Sequence, residues 1–153
     1  MSQSSSLQTF LWFKAGQLDE ALALYQSVFG SGMIVTSLNP SGPNGPLFTA
    51  SFSIYGHNLI GMAVNGGPSF NDSISLSLSV DGQDEVDRLW DALTDNGGQP
   101  GQCGWLKDAF GVSWQVTPVQ MGYYLGNPDF AIREYATAAL RRMNKIVISD
   151  FVK

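Results

Sequence analysis

The chain has 153 residues, of which 44% are hydrophobic and 14% charged, and its net charge at pH 7 is −5. This composition supports one domain with a substantial core, and the small share of charged residues fits either a surface buried in an oligomer or a surface of neutral polar residues. No basic run is present, which argues against nucleic-acid binding because such binding depends on neutralising phosphates.

A single cysteine, Cys103, excludes an intrachain disulfide and is typical of a reducing, cytoplasmic setting. The N-terminal residues lack the charged and apolar regions of a signal peptide. No apolar run approaches the roughly 20 residues that cross a bilayer. We therefore expect a cytoplasmic protein without a membrane partner.

The first half of the chain predicts one strand, one helix and three further strands. Residues 7–13 read as a strand, and residues 17–29 carry apolar side chains at helical spacing before Gly30. Further strands are predicted over 33–38, 47–55 and 59–64, with a loop at 39–46 and a hairpin turn at 56–58.

The second half repeats this plan. A strictly alternating strand is predicted over 74–80, a helix over 83–96 and a β-hairpin over 102–118, with its turn at 107–111. The two helices match at an offset of 65 residues, which is a weak but ordered internal repeat. Each half is therefore read as a βαβββ module.

Beyond residue 118 the chain departs from the repeat. A helix is predicted over 128–143, with Asn127 as its N-cap and Pro128 in its first turn. A last short strand or turn is predicted over 143–152. The residues of this helix that we expect to face inward are Phe130, Tyr135, Ala138, Ala139 and Met143.

Several segments together resemble a known family. They are LWF at 11–13, NGGPSF at 65–70, ISLSLSV at 74–80 and, most specific, QCGWLKDAFGVSWQ at 102–115. The chain resembles the PhnB-like branch of the glyoxalase/bleomycin-resistance/dioxygenase superfamily, also called vicinal oxygen chelate. Members of this branch are often labelled 3-demethylubiquinone 3-methyltransferase-like.

The resemblance implies an α+β fold in which two βαβββ modules form curved mixed sheets around a cup, usually in a homodimer. It predicts one domain over 1–153, with modules at 7–64 and 74–118 and a C-terminal helical extension at 119–153. Nothing in the sequence resembles the glycine-rich nucleotide loop of a Rossmann-type methyltransferase. We therefore expect no cofactor.

Enzymes of this superfamily bind a divalent metal through His and Glu side chains in the cup. The resemblance places these positions near Thr9, near Met62, at Ser75 and at Gln115. Divalent metals in proteins favour carboxylate, imidazole or thiolate ligands, and none of the four residues supplies one. The sequence therefore predicts no metal site.

Candidate residues lining the cup are Trp12, Ser75, Cys103, Trp105 and Gln115. Cys103 has a second interpretation as a small buried hydrophobe. The serines at 73, 75, 77 and 79 share one face of the fifth strand, but the sequence leaves open whether that face is the cup or the solvent side. His57, the sole histidine, is expected in an exposed turn.

Three hypotheses follow. The first is a small-molecule-binding protein that takes an apolar or aromatic ligand without a metal. The second is an enzyme acting on such a metabolite as a lyase, an isomerase or a methyltransferase-like transferase; no catalytic residue is assigned, and the sequence leaves open whether the protein is an enzyme. The third is a structural dimer whose cup is filled by its own aromatic side chains.

Overall fold

A computed structural model describes residues 5–153, and within them lie two four-stranded sheets and four α-helices. The chain divides into two compact units, one ending at Ser69 and the other comprising Phe70–Lys153. Within the described residues, no helix is long and apolar enough to cross a membrane.

The first unit has the order β1 (Thr9–Lys14), α1 (Gln17–Phe29), β2 (Met33–Pro40), β3 (Leu47–Ile54) and β4 (His57–Val64). Its sheet has the strand order β1-β4-β3-β2, in which β1 and β4 are parallel and the other neighbours are antiparallel. The helix α1 packs against β1, β3 and β4 and so covers one side of the sheet.

The second unit repeats this topology with β5 (Leu76–Val80), α2 (Gln83–Thr94), β6 (Gln99–Pro100), β7 (Trp105–Lys107) and β8 (Ser113–Pro118). The strand order is β5-β8-β7-β6, with β5 and β8 parallel. Helix α2 packs against β7 and β8. The predicted α+β architecture of two βαβββ modules is thus confirmed, whereas a common cup and a dimer stay predictions.

Both module helices follow the apolar spacing of the sequence. Helix α1 has the predicted bounds, and its C-cap is Gly30. The φ of Gly30 is 51°, a backbone conformation that glycine adopts without a steric penalty. Helix α2 ends two residues before the predicted Asn96. The helix residues that are buried are Leu18, Ala21, Leu22, Tyr25, Val28 and Phe29 in α1, and Val86, Leu89, Trp90 and Leu93 in α2.

Strand bounds differ from the expected ones by a few residues. The fifth strand begins at Leu76 rather than at residue 74, and His57 is already in β4 because the turn lies at Tyr55 and Gly56. The predicted hairpin at 102–118 is present as β7 and β8, and β6 adds a short edge strand.

The turn between β7 and β8 is organised by the buried side chain of Asp108. Its Oδ1 accepts hydrogen bonds from the backbone N–H of Phe110 (2.9 Å) and of Val112 (3.1 Å). Its Oδ2 accepts one from Nε1 of Trp114 (2.9 Å), which is only 1% exposed. Gly111 completes the turn with a φ of 90°, as the sequence predicted.

The C-terminal extension is helical but differs from the prediction. It contains two helices, α3 (Gln120–Leu125) and α4 (Phe130–Leu140), and a 3₁₀ turn at Ile148–Phe151. The N-cap of α4 is Asp129, which accepts from the N–H of Ala131 at 2.9 Å, so the expected cap at Asn127 is wrong. The inward positions expected for Phe130 and Ala138 are also wrong, since both are exposed.

Gln83 attaches the extension to the start of α2. Its Nε2 donates to the carbonyl of Ile146 (2.9 Å), and its Oε1 accepts from the N–H of Ile148 (2.8 Å). Backbone bonds from Cys103 to Met143 and from Gly104 to Asn144 (both 2.8 Å) add a second attachment. The extension therefore belongs to the second unit.

We predict that Asp108→Ala lowers the free energy of unfolding by about 3 kcal/mol, because it leaves three donors without their acceptor in a buried place. Urea denaturation measures this change. Asp150→Ala, at an exposed aspartate of the 3₁₀ turn, is the control and should change stability by less than about 0.5 kcal/mol. Equal effects of the two substitutions would contradict this role of Asp108.

Candidate functional site

Each sheet has one side opposite its helix, which we call its open face. In the first sheet the open face contains Phe10 and Trp12, and the strand register adds Ile60 and Met62 beside them. Phe10 is 47% and Trp12 39% exposed, and their ring centroids lie 6.0 Å apart. The first open face is therefore apolar and aromatic along β1 and β4.

Thr9 lies on the helix side of the same sheet, not on the open face. Thr9 pairs with Leu59 on β4 and points to the same side of the sheet as the buried Leu11, two residues further along β1. Its Oγ1 is 2.8 Å from Nε2 of the exposed His57. Thr9 and Met62 therefore lie on opposite faces. The open-face residue next to Thr9 is Phe10, whose hydrocarbon ring offers no metal ligand.

The second open face is polar and contrasts with the first. The register places the buried residues Leu78 and Trp114 on the helix side. The other side has hydroxyl and amide side chains together with one tryptophan and one lysine. Alternation in β5 puts Ser77 and Ser79 on the side away from α2, whereas Ser73 and Ser75 precede the strand. The residues of the second open face are Ser77, Ser79, Trp105, Lys107, Ser113, Gln115 and Thr117.

Gln115, on this face, meets a second predicted site residue, Ser75, which directly precedes β5. Nε2 of Gln115 donates a hydrogen bond to Oγ of Ser75 at 2.8 Å. The offset of 65 residues between the modules makes Phe10 equivalent to Ser75 and Trp12 equivalent to Ser77. Trp12 lies beside Met62 in the first sheet, and Ser77 lies beside Gln115 in the second, so Met62 and Gln115 are also equivalent. In the repeat, Ser75 therefore corresponds to Phe10, and Gln115 corresponds to Met62.

A cleft of about 430 Å³ opens beside β7. Trp105, opposite Gln115 in the register, lines it together with Lys107, Ser113 and Gln99. Asp72, in the loop before β5, is a further lining residue. The cleft thus has an aromatic surface and several polar groups, a combination typical of small-molecule sites.

Asp72 and Lys107 form an ion pair across this cleft, with Oδ1 2.9 Å from Nζ. The hydrogen bond from Lys107, followed by its charge, lowers the pKa of Asp72 below the ordinary aspartate value. Ser113 also donates to Asp72, at 3.4 Å. The sequence placed Lys107 only in the hairpin turn and did not single out Asp72.

Cys103 has its thiol directed to the C-terminal extension. Its Sγ lies 3.5 Å from the carbonyl oxygen of Leu140 in α4, and its backbone has a φ of 57°. The side chain is partly buried and does not line the cleft beside β7. Its role in a ligand site stays a prediction, as does that of Trp12, which belongs to the first unit.

The residues at the implied metal positions do not fit a divalent metal. Ser75 and Gln115 offer neutral oxygens and are hydrogen-bonded to each other, while Phe10 and Met62 offer a ring and a thioether. Such metals favour carboxylate, imidazole or thiolate ligands. Within residues 5–153, no three His, Cys, Asp or Glu side chains lie close enough to hold one.

The chain matches a family model described as 3-demethylubiquinone-9 3-methyltransferase over residues 5–117. It is similar to the PhnB protein from Bacillus cereus, with 26% identity and a TM-score of 0.66, over 75% of this chain and 100% of that one. Protein PA1353 from Pseudomonas aeruginosa is 25% identical, with a TM-score of 0.57, over 74% and 98% of the two chains.

A more distant similarity links the fold to the fosfomycin resistance protein FosX from Listeria monocytogenes, whose structure contains Mn(II) and sulfate. It is 14% identical with a TM-score of 0.55, over 74% of this chain and 92% of FosX, and it bears on the fold alone. Among curated proteins, none matches this chain. The chain belongs to the 3-demethylubiquinone-9 3-methyltransferase family.

We predict that Lys107→Gln raises the pKa of Asp72, because the hydrogen bond and charge that hold it low are lost. Carboxyl NMR titration measures this shift. In the native chain the ion pair contributes to stability above the ordinary aspartate pKa, and the contribution disappears as the pH falls through the lowered value. Lys14→Gln, at an exposed lysine of β1, should leave the titration of Asp72 unchanged, and an equal shift would contradict the pairing.

Proposed function

We propose that this protein binds a small apolar or aromatic molecule without a metal. The observation that carries the proposal is the hydrogen bond between Gln115 and Ser75, at the places where metal-dependent relatives would need charged ligands. Such a pair can orient a ligand by hydrogen bonding, because each side chain retains a donor or an acceptor. It cannot supply the charge that stabilises a divalent ion.

Trp105 provides the apolar part of the binding surface. It is half-buried and pairs with Gln115 across β7 and β8, so an aromatic face lies next to amide and hydroxyl groups. A flat ligand can stack on the indole while its polar atoms bond to the neighbouring groups. The cleft on the other side of Trp105 has a volume of about 430 Å³, within the range of small-molecule sites, and it is lined by Trp105 but not by Gln115 or Ser75.

The family description favours the alternative, an enzyme with methyltransferase-like chemistry. The second open face argues against general acid–base catalysis. Its charged residue, Lys107, is paired with Asp72, and its other polar groups are hydroxyls and amides. Neutral hydroxyls and amides do not titrate near pH 7, where general acids and bases work best. Binding therefore explains the residues of this face more directly.

We also propose that the chain forms a homodimer. Phe10 and Trp12 form an exposed apolar pair on the first open face, and Ile34, on β2 at the opposite edge of the same sheet, is a further exposed apolar side chain; the three are between 39% and 60% exposed. Exposed apolar clusters of this kind mark association surfaces. Sedimentation equilibrium of the native protein should give twice the mass of one chain. The double variant Phe10→Ser/Trp12→Ser should give a mass closer to that of one chain. A native monomer at all concentrations would refute the dimer.

We predict that Trp105→Ala weakens ligand binding about tenfold, since loss of stacking on an indole costs about 1.4 kcal/mol. Ligands would be found by thermal shift of the native chain with a library of aromatic metabolites, and affinities measured by calorimetry. Phe130→Ala removes an exposed aromatic of α4 and should leave the affinity unchanged.

Two results would count against the binding function. One is the absence of any thermal shift across the library. The other is equal affinity of the native and Trp105→Ala chains for every ligand found, which would place binding away from the second open face.

A further inference from the structure

The C-terminal extension contains a second cleft, of about 300 Å³, outside the residues that match the family. It lies between α3, α4 and the segment around the 3₁₀ turn, and it shares no lining residue with the cleft beside β7. Elements α3, α4 and the 3₁₀ turn pack on one another, and hydrogen bonds of Gln83 and of the Cys103–Gly104 backbone attach residues 143–148 to the start of α2 and to the segment before β7. The cleft is therefore formed before any ligand enters, which reduces the cost of binding.

Half of the residues that line this cleft are aromatic. Tyr124 stacks on Phe151 with ring centroids 5.4 Å apart and planes 24° apart. Tyr123 meets Tyr124 edge to face at 5.1 Å. Phe151 is buried, at 1% exposure, whereas Tyr123 is 68% exposed at the rim. A planar ligand can thus enter past Tyr123 and contact rings that already have a fixed orientation.

The charge of the lining side chains is positive. Lys153 places its Nζ 5.5 Å from the ring centroid of Tyr135, and the lining includes no aspartate or glutamate. An ammonium group beside aromatic rings favours a ligand that combines a ring with an anionic group. The volume, at the lower end of small-molecule sites, limits the ring system to one or two rings.

We propose that this cleft binds a small planar aromatic carboxylate. The ring stacks on the exposed Tyr123 and meets Tyr124 edge to face, and the carboxylate accepts a hydrogen bond from Lys153. The site is separate from the second open face and goes beyond the function proposed above, so each can be tested without the other.

The test is an NMR titration of the full ¹⁵N-labelled chain with naphthalene-2-carboxylate. We expect saturable shifts of amides in α3, α4 and the segment from Ile148 to Lys153. Naphthalene-2-carboxamide, a neutral molecule of nearly the same shape, should bind about fivefold more weakly, since an exposed ion pair contributes up to about 1 kcal/mol.

Variants separate the ring and charge contributions. Tyr123→Ala, at an exposed position that the fold does not need, should weaken binding of the carboxylate about tenfold. Lys153→Gln should remove the preference for carboxylate over carboxamide, and Lys14→Gln should leave it unchanged. Trp105→Ala should bind naphthalene-2-carboxylate as the native chain does.

Several outcomes would overturn the proposal. They are shifts that rise linearly without saturation, shifts confined to β5, β7 and β8, and equal affinity of the native and Tyr123→Ala chains. Equal binding of carboxylate and carboxamide by the native chain would remove the anionic part of the claim. Trp105 lines the cleft beside β7 and not the cleft of the extension. A negative result for the extension cleft therefore leaves the proposed binding at the second open face to be tested by Trp105→Ala.

Discussion

The carboxylate of Asp108 is the interaction on which the second module depends. It joins two backbone N–H groups of its own turn to the indole of Trp114, and so fixes both the turn and the strand that follows. The register of β7 and β8 then sets Trp105 opposite Gln115. A shift by one residue would reverse the faces of every side chain in the strand. The buried hydrogen bonds of one aspartate thereby determine which groups the open face presents.

The two modules share a topology but differ in the chemistry of their open faces. At equivalent places the first has Phe10 and Met62, and the second has Ser75 and Gln115. Neither set carries the charge that a divalent ion needs. The two modules therefore share a backbone topology, while one open face is aromatic and the other is a neutral hydrogen-bonding surface. A fold can retain its architecture while its sites change in this way.

Much of the fold was predictable because the local signals agree with the tertiary structure. Helices α1 and α2 have apolar residues at helical spacing, and burial against a sheet is what that spacing requires. The hairpin followed from alternation and from Gly111. Among the site residues, Ser75 and Gln115 came from the family resemblance, and the structure shows that they are hydrogen-bonded.

The misses have physical causes. The resemblance gave only a place near Thr9, and the residue there that reaches the open face is Phe10, because a period of two turns a one-residue offset into a change of side. Asn127 and Asp129 are both good N-caps, and local sequence does not choose between them. The turn at Cys103 has a positive φ in a residue other than glycine, which no sequence pattern announces. Asp72 was missed because its partner, Lys107, is distant in sequence.

The central claim is that Ser75 and Gln115 form a neutral hydrogen-bonded pair rather than a metal site. Paramagnetic broadening by Mn²⁺ tests it most directly, because the amide signals near a bound ion lose intensity first. At stoichiometric Mn²⁺ in the full ¹⁵N-labelled chain, the account predicts no broadening centred on the amides of Ser75, Ser77 and Gln115. Selective loss of these signals, abolished by the Gln115→Ala substitution, would contradict it.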